Sequence, residues 1–207
     1  MIIAVDGPAA SGKGTLARRL AAHYGFAYLD TGSLYRAVAL QMRRGGADLG
    51  DEAVASATAA AIDDSLLEDP ELRTAATGEA ASVVAAMPGV REAVLDFQRR
   101  FAAQEPGAVL DGRDIGTVVC PDARAKLFVT ASIEVRAHRR YLELARSGEP
   151  INEETVKAAL MERDARDRAR PIAPLRQAAD AVLLDTTELD IETAFRQAVE
   201  IIDRQRE

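Results

Sequence analysis

The sequence predicts a three-layer α/β fold with a central, mainly parallel sheet of five strands between helices. Five short apolar runs carry the strand signal, and each is nearly continuous, as expected for strands buried on both faces of a parallel sheet. Helical segments separate the runs, as parallel pairing requires. The predicted strands cover residues 2–5, 26–29, 108–110, 126–129 and 181–184.

Length, charge and cysteine content exclude several classes of protein. The chain has 207 residues, enough for one core with a smaller subdomain, and its net charge of −7 argues against a long nucleic-acid footprint. The single Cys120 excludes an internal disulfide. Neither a leader pattern nor an apolar run of bilayer length is present. We therefore expect a cytoplasmic monomer without nucleic-acid or membrane partners.

An amphipathic helix is predicted from residue 13 to residue 24, directly after the first strand and its loop. Leu16, Leu20 and Tyr24 recur at helical spacing, and Gly25 stands where a C-terminal cap is expected.

The loop before this helix is a P-loop, which predicts a bound triphosphate. Gly7 and Gly12 let the main chain approach an anion at the positive helix end, and Lys13 can reach the β- and γ-phosphates. The hydroxyl comes at Thr15, with Gly14 directly after the lysine, so we expect a metal held largely through water. The predicted ATP-binding residues are Gly7, Pro8, Ala9, Ala10, Ser11, Gly12, Lys13, Gly14 and Thr15.

Two excursions from the predicted sheet indicate smaller elements. Between residues 30 and 110 the chain is rich in alanine, and helices are predicted over 52–61, 79–86 and 90–103. A second excursion over 145–174 contains Gly148, Pro150 and a predicted helix over 153–170. We expect a helical insert and a short lid.

Polar side chains directly after the third predicted strand indicate phosphate chemistry. Asp111 ends that strand, which is the usual place for an acidic residue that orients the water ligands of Mg²⁺. Arg113 offers a planar fork for a phosphate, and Asp114 can accept a hydrogen bond from an exocyclic amine such as cytosine N4.

A charged run near residue 165 admits two interpretations. Arg163, Asp167 and Arg170 share one helix face, and an aspartate between two arginines suits a ribose hydroxyl flanked by phosphates. The same run also fits a solvated helix face with ion pairs worth tenths of a kcal/mol each. A third cluster, Arg136, Arg139 and Arg140, lies within one helical turn and can close over donor phosphates.

The sequence resembles the bacterial cytidylate kinases from residue 2 to about residue 201. Four segments carry the resemblance: Gly-Lys-Gly-Thr at 12–15, Asp-Thr-Gly-Ser-Leu-Tyr-Arg at 30–36, Asp-Gly-Arg-Asp at 111–114, and Arg-Asp-Ala-Arg-Asp-Arg at 163–168 with Pro-Ile-Ala-Pro at 171–174. The resemblance implies transfer of the γ-phosphoryl group of ATP to CMP or dCMP, with Mg²⁺ as cofactor.

The resemblance also implies a role for individual residues. The implied acceptor-binding residues are Thr31, Tyr35, Arg36, Ser82, Arg91, Arg113, Asp114, Arg163, Asp167 and Arg170. The implied catalytic residues are Lys13, Arg113, Arg139 and Arg163. The metal is expected near Thr15 and Asp111.

The expected organisation is one kinase domain, with a core over about 1–36, 104–145 and 172–207. The acceptor-binding insert covers about 37–103 and the lid about 146–171. Residues 45–77 depart from the family, because they hold too few β-branched and aromatic residues for its small β-sheet insert. We expect a shortened, mainly helical substitute over residues 61–77, and the rigidity of Ser82 and Arg91 depends on it.

Two other functions stay open at this point. The first is another small P-loop kinase, acting on UMP or on a metabolite such as shikimate, although the arginine-rich acceptor side favours an acceptor that already bears phosphate. The second is a nucleotide-binding switch without turnover, but the Asn-Lys-x-Asp guanine motif of GTPases is missing from the sequence.

Overall fold

The computed structural model describes residues 1–146 and 151–206. The lid residues 147–150, with the predicted Gly148 and Pro150, lie outside the described residues. The strands are β1 Ile2–Asp6, β2 Ala27–Asp30, β3 Ala108–Gly112, β4 Ala125–Thr130 and β5 Val182–Asp185. The α-helices are α1 Lys13–Tyr24, α2 Thr31–Arg44, α3 Glu52–Ala60, α4 Ala75–Val84, α5 Pro88–Ala102, α6 Ile133–Arg146, α7 Glu153–Ala169 and α8 Ile191–Arg206.

The five strands form one sheet in the order β2-β3-β1-β4-β5, so the predicted α/β class is confirmed. Strand β1 pairs in parallel with both β3 and β4, and β4 pairs in parallel with β5. Val5 lies opposite Asp111, and Asp6 lies opposite Gly112. Because successive side chains of a strand alternate between faces, Asp6 and Asp111 point to opposite faces of the sheet at its carboxyl edge.

The buried core is aliphatic. Ile3, Val5, Val109, Leu127 and Val129 of the central strands are at most 1% exposed. They pack in one cluster with the buried faces of α1 and α8.

Strand β5 differs from the prediction that all five strands are buried on both faces. Leu184 is buried, but Val182 is 39% exposed and Leu183 is 52% exposed. The reason is its edge position in the sheet, because an edge strand has a neighbouring strand on one side alone.

The chain forms two compact units, Met1–Leu29 with Phe101–Glu207, and Asp30–Arg100. The first contains the sheet. The second is helical, and it begins at Asp30, whereas the sequence placed the start of the insert at about residue 37.

Helix α2 begins directly after β2 and was not predicted as a helix. No helix was assigned to residues 30–36 from the sequence, but Thr31 is already the first residue of a helix of 14 residues.

The segment 61–77, for which the sequence predicted a mainly helical structure in place of a β-insert, contains helices as predicted. These include two 3-10 helices, Asp64–Glu68 and Pro70–Arg73. Leu72 is buried there against Ala37 and Leu40 of α2.

The guanidinium of Arg44 ties this segment to α2. It forms ion pairs with Asp69 at 2.7 Å and with Glu71 at 3.1 Å. Thr74 then caps α4, the helix that carries Ser82, by accepting a hydrogen bond from the amide of Thr77. The second of the two 3-10 helices, Pro70–Arg73, is therefore anchored at both its ends.

Candidate active site

The phosphate loop, residues 7–12, joins β1 to α1 and depends on glycine at its first position. A Cβ on Gly7 would lie 2.0 Å from the carbonyl oxygen of Val129 in β4. Any side chain there would clash with the backbone of the neighbouring strand. At its other end Gly12 has a φ of 85°, a left-handed conformation that glycine adopts without strain.

Donors from α6 and from the loop after β5 hold the carbonyl groups of the phosphate loop. Arg136 donates to the Ala9 oxygen at 3.2 Å, and the Thr186 hydroxyl donates to the Ser11 oxygen at 3.1 Å. In a trans peptide the next N–H points opposite to the carbonyl. The amides of Ala10 and Gly12 therefore point away from these donors, as an anion-binding loop requires.

One buried side-chain oxygen of the loop has no hydrogen-bond partner among residues 1–146 and 151–206. Ser11 is fully buried, and its Oγ makes no hydrogen bond within the described part of the chain. Lys13 is the first residue of α1, and the first turn of that helix carries no acidic side chain. A buried hydroxyl at a positive helix end fits a phosphate oxygen.

Asp111 supplies a carboxylate beside the start of α1. It is 2% exposed, and its Oδ2 lies 2.9 Å from the position that a Cβ on Gly14 would occupy. Glycine directly after the P-loop lysine thus lets this carboxylate approach the helix. The Tyr28 hydroxyl lies 3.4 Å from the same oxygen.

The oxygens of Asp111 and Thr15 are of the kind that Mg²⁺ prefers, and the residues present therefore fit this ion. Over residues 1–146 and 151–206, no group of three or more His, Cys, Asp or Glu side chains is arranged to hold a metal ion.

The predicted Arg163–Asp167–Arg170 face forms a charge cluster around the buried Asp167. Arg113 donates from Nε to Asp167 at 2.8 Å, and Asp167 is 4% exposed. Burial alone would raise the pKa of Asp167, but the charges of Arg113, Arg163 and Arg170 outweigh burial and hold this pKa below its usual value. Of the two interpretations of this run, the solvated helix face is therefore wrong for Asp167 and for Arg170, which is 7% exposed.

The structure reveals a residue that the sequence interpretation missed. Asp6, the last residue of β1, accepts hydrogen bonds from the amides of Ile115 and Gly116, both at 2.8 Å. These amides directly follow Asp114, which is 5% exposed. The apolar run before Asp6 was the available signal, since a charged residue at the end of a buried strand needs partners.

The three arginines of α6, Arg136, Arg139 and Arg140, contact different partners. Arg136 is buried and forms an ion pair with Asp164 at 2.8 Å, and Arg140 pairs with Glu143 on its own helix. Arg136 and Arg140 therefore each have a protein partner that was not predicted, and the closure of the three arginines over donor phosphates stays a prediction.

Arg139 remains beside the phosphate loop. Its guanidinium donates to the Thr186 carbonyl at 2.8 Å and lies 3.5 Å from the Ser11 carbonyl oxygen. Burial lowers the pKa of Arg139.

Five predicted acceptor residues belong to the unit Asp30–Arg100. Thr31 is 3% exposed, and the Arg91 guanidinium lies 5.5 Å from the centre of the Tyr35 ring. Arg91 also donates to the Ala85 carbonyl at 3.2 Å. Ser82 is buried, and its Oγ has no hydrogen-bond partner among the described residues.

Arg36 has a protein partner that was not predicted. Its guanidinium forms an ion pair with Asp30, the residue directly before α2. A phosphate at Arg36 would therefore share this guanidinium with a carboxylate.

Together, a phosphate loop between β1 and α1 and an arginine cluster around the buried Asp167, after β3 and on α7, define a P-loop kinase. Residues 3–204 match the sequence profile of the family described as Cytidylate kinase. The chain belongs to this cytidylate kinase family, and the resemblance stated from the sequence is confirmed.

Named relatives cover the whole chain. A cytidylate kinase of Rhodopseudomonas palustris is 61% identical over 206 residues, which are 100% of this chain and 97% of that protein. A cytidylate kinase of Afipia carboxidovorans is also 61% identical, over 100% of this chain and 99% of its own length.

A solved structure shares the fold. An uncharacterized protein from Eubacterium ventriosum superimposes with a TM-score of 0.57 at 16% identity, over 98% of each chain.

Within the residues that the structure describes, no helix has the length and apolar character needed to cross a bilayer.

Proposed function

We propose that this chain transfers the γ-phosphoryl group of ATP to CMP or dCMP, giving ADP and CDP or dCDP. Family membership supports the reaction. The buried cluster around Asp167 is the observation that carries the choice of acceptor, because three arginine charges suit an acceptor that already bears a phosphate. A metabolite such as shikimate accepts the phosphoryl group on a hydroxyl, which carries no charge comparable to that of a phosphate.

ATP is expected on the phosphate loop, with Lys13 at its β- and γ-phosphates. The Ser11 hydroxyl and the amides of Ala10 and Gly12 would take up phosphate oxygens. Thr15 and Asp111 would hold Mg²⁺, largely through water. When bound with ATP, Mg²⁺ neutralises charge on the β- and γ-phosphate oxygens.

The acceptor is expected to attack in line through an oxygen of its own phosphate. That oxygen is already anionic, so the chain needs no strong general base, and catalysis is positioning and charge neutralisation. Lys13, Arg113, Arg139 and Arg163 supply the charge.

Ten residues are proposed to bind the acceptor nucleotide. Asp114, Ser82 and Arg91 would read the cytosine ring, Asp167 the ribose, and Arg36 and Arg113 the phosphate. The others are Thr31, Tyr35, Arg163 and Arg170. Monomeric state and cytoplasmic location stay predictions from the sequence.

A coupled assay of ADP production tests this function with ATP and a panel of acceptors. CMP and dCMP should support turnover, UMP should support less, and cytidine should support almost none because it lacks the phosphate that the arginine cluster requires. Equal turnover with cytidine and CMP would contradict the role of that cluster. Nucleotide binding without any acceptor-dependent turnover would instead favour a switch.

A further inference from the structure

We propose that Asp6 is a positioning residue that holds the acceptor turn, defined as residues 113–116, in the conformation that reads cytosine. The inference rests on the proposed roles of Arg113 and Asp114. Asp6 would contact neither nucleotide, because both its carboxylate oxygens are engaged by the backbone of the turn.

The geometry of the contact fits a carboxylate and no other side chain of that size. Oδ1 accepts from the Ile115 amide and Oδ2 from the Gly116 amide, each at 2.8 Å. Charge-assisted bonds of this kind are about twice as strong as neutral ones. Asparagine would offer one oxygen and would direct an NH₂ group at the second N–H.

Packing fixes the turn on its other sides. A Cβ on Gly116 would lie 3.1 Å from Cδ of Lys126 and 3.4 Å from Oδ2 of Asp6, so the turn lies close against both side chains. The carbonyl of Asp114 accepts from the amides of Val118 and Val119 at 2.9 and 3.2 Å. The backbone directly after Asp114, where the π-helix Ile115–Val119 begins, is thus held by Asp6 and by its own hydrogen bonds, which sets the direction of the Asp114 carboxylate.

Asp6 also connects the phosphate loop, where ATP is expected, with the acceptor turn. Its main chain continues directly into Gly7 and the phosphate loop, whereas its side chain holds the acceptor turn. A change in this carboxylate should therefore alter acceptor binding more than ATP binding, because the strand itself keeps its pairing with β3 and β4.

The charged groups that face Asp6 are Asp114 and Arg113, and the stem of Lys126 flanks the turn with its ammonium on Asp180. Burial raises the pKa of Asp6 to about 6 in spite of the two amide bonds. Asp6 is thus ionised at neutral pH, and protonation on acidification weakens its hold on one amide.

The test is Asp6→Asn, with kcat and KM measured for CMP, UMP and ATP between about pH 5.5 and about pH 8. At neutral pH the ratio of kcat/KM for CMP to that for UMP should fall about tenfold, chiefly through KM for CMP, with KM for ATP changed less. In the unmodified chain this ratio should fall on acidification through the pKa of Asp6, and in the variant it should stay flat. The phosphates of CMP and UMP titrate alike and cancel in the ratio.

Two further variants separate the possible failures. Asp203→Asn removes a carboxylate whose partners are Tyr24 and Arg206, and it should leave the ratio unchanged. Asp114→Ala should lower the ratio. If Asp114→Ala lowers the CMP-to-UMP ratio of kcat/KM and Asp6→Asn leaves it unchanged, the positioning role of Asp6 is overturned and the proposed function stands. If Asp114→Ala leaves this ratio intact, the proposed reading of cytosine by Asp114 is overturned.

If Asp6→Asn does not fold, the unmodified chain alone provides the test. A pH-independent ratio then overturns the proposal, and a decline of the ratio on acidification near the pKa of Asp6 supports it.

Discussion

Replacing Asp164 by alanine should destabilise the fold by about 3 kcal/mol, because it leaves a buried guanidinium without its counter-ion. The side chains of Arg136 and Asp164 are 6% and 5% exposed, and the pair joins α6 to α7 at 2.8 Å. Breaking a buried pair typically costs about 3 to 5 kcal/mol. We expect the lower end, because Arg136 keeps its bonds to the carbonyls of Ala131 and Ala9.

The double variant Arg136→Met/Asp164→Leu should recover most of this loss. In the native pair, Oδ1 of Asp164 is buried without a hydrogen-bond partner among the described residues, so desolvation of the carboxylate is not fully offset. Apolar replacement of both partners should therefore lie within about 1 kcal/mol of the unmodified chain. It should nevertheless raise KM for ATP several-fold, because the Ala9 carbonyl in the phosphate loop loses its donor.

Urea unfolding followed by circular dichroism measures these differences at constant m value. Glu143→Ala is the matched control, since the Glu143 side chain is 62% exposed in its pair with Arg140 and should contribute less than about 0.5 kcal/mol. The reasoning would be refuted if Asp164→Ala cost less than about 1 kcal/mol, or if the double variant were no more stable than this single one.

Three other outcomes are expected. Lys13→Ala should lower kcat about a hundredfold or more through loss of charge at the developing transition state, with unchanged unfolding by urea; near-native turnover in the coupled assay would contradict the mechanism. Gly7→Ala should cost about 1 to 3 kcal/mol and weaken ATP binding, because its Cβ would meet the Val129 carbonyl at 2.0 Å. Gly25→Ala is the control, because a Cβ there would have no described atom within 4 Å, although Gly25 has a φ of 67°. This variant should lose about 1 kcal/mol of stability at most and keep its ATP binding. The pKa of Asp6 is raised from 3.8 to about 6, so its protonated form is favoured in the folded state. The stability of the unmodified chain relative to Asp6→Asn should therefore decrease as pH rises through this range and level off above it, and a paired urea series that showed the opposite slope would contradict this burial effect.

The elements with a strong local signal were predictable. Helix α1 begins at Lys13 and ends at Tyr24 as predicted, and Gly25 forms a left-handed cap. Both were predictable because the signals for helical spacing and capping lie in neighbouring residues of the sequence. The strands lie within one or two residues of their predicted ends for the same reason. Helix α2 was missed because it follows β2 without any connecting residue to mark the change.

The candidate site was predictable as a set of residue types and much less as a set of contacts. Arg136, Arg139 and Arg140 lie in one turn of α6, and the sequence treated them alike. In the fold Arg136 meets Asp164 of α7, Arg139 meets Thr186 after β5, and Arg140 meets Glu143 of its own helix. Arg136 and Arg139 both contact carbonyl oxygens of the phosphate loop, whereas Arg140 pairs within its own helix, so the packing of α6 decides which guanidinium groups face the loop.

By itself the sequence determined the α/β class, the phosphate loop and the family, because each depends on residues that are close together in the chain. The tertiary structure alone decided the strand order, the exposed edge at β5 and the use of Asp6. The carboxylate of Asp6 meets amides 109 and 110 positions away, at Ile115 and Gly116. Such a contact exists only once β1 and β3 are paired in register, and no local pattern of residues encodes that distance.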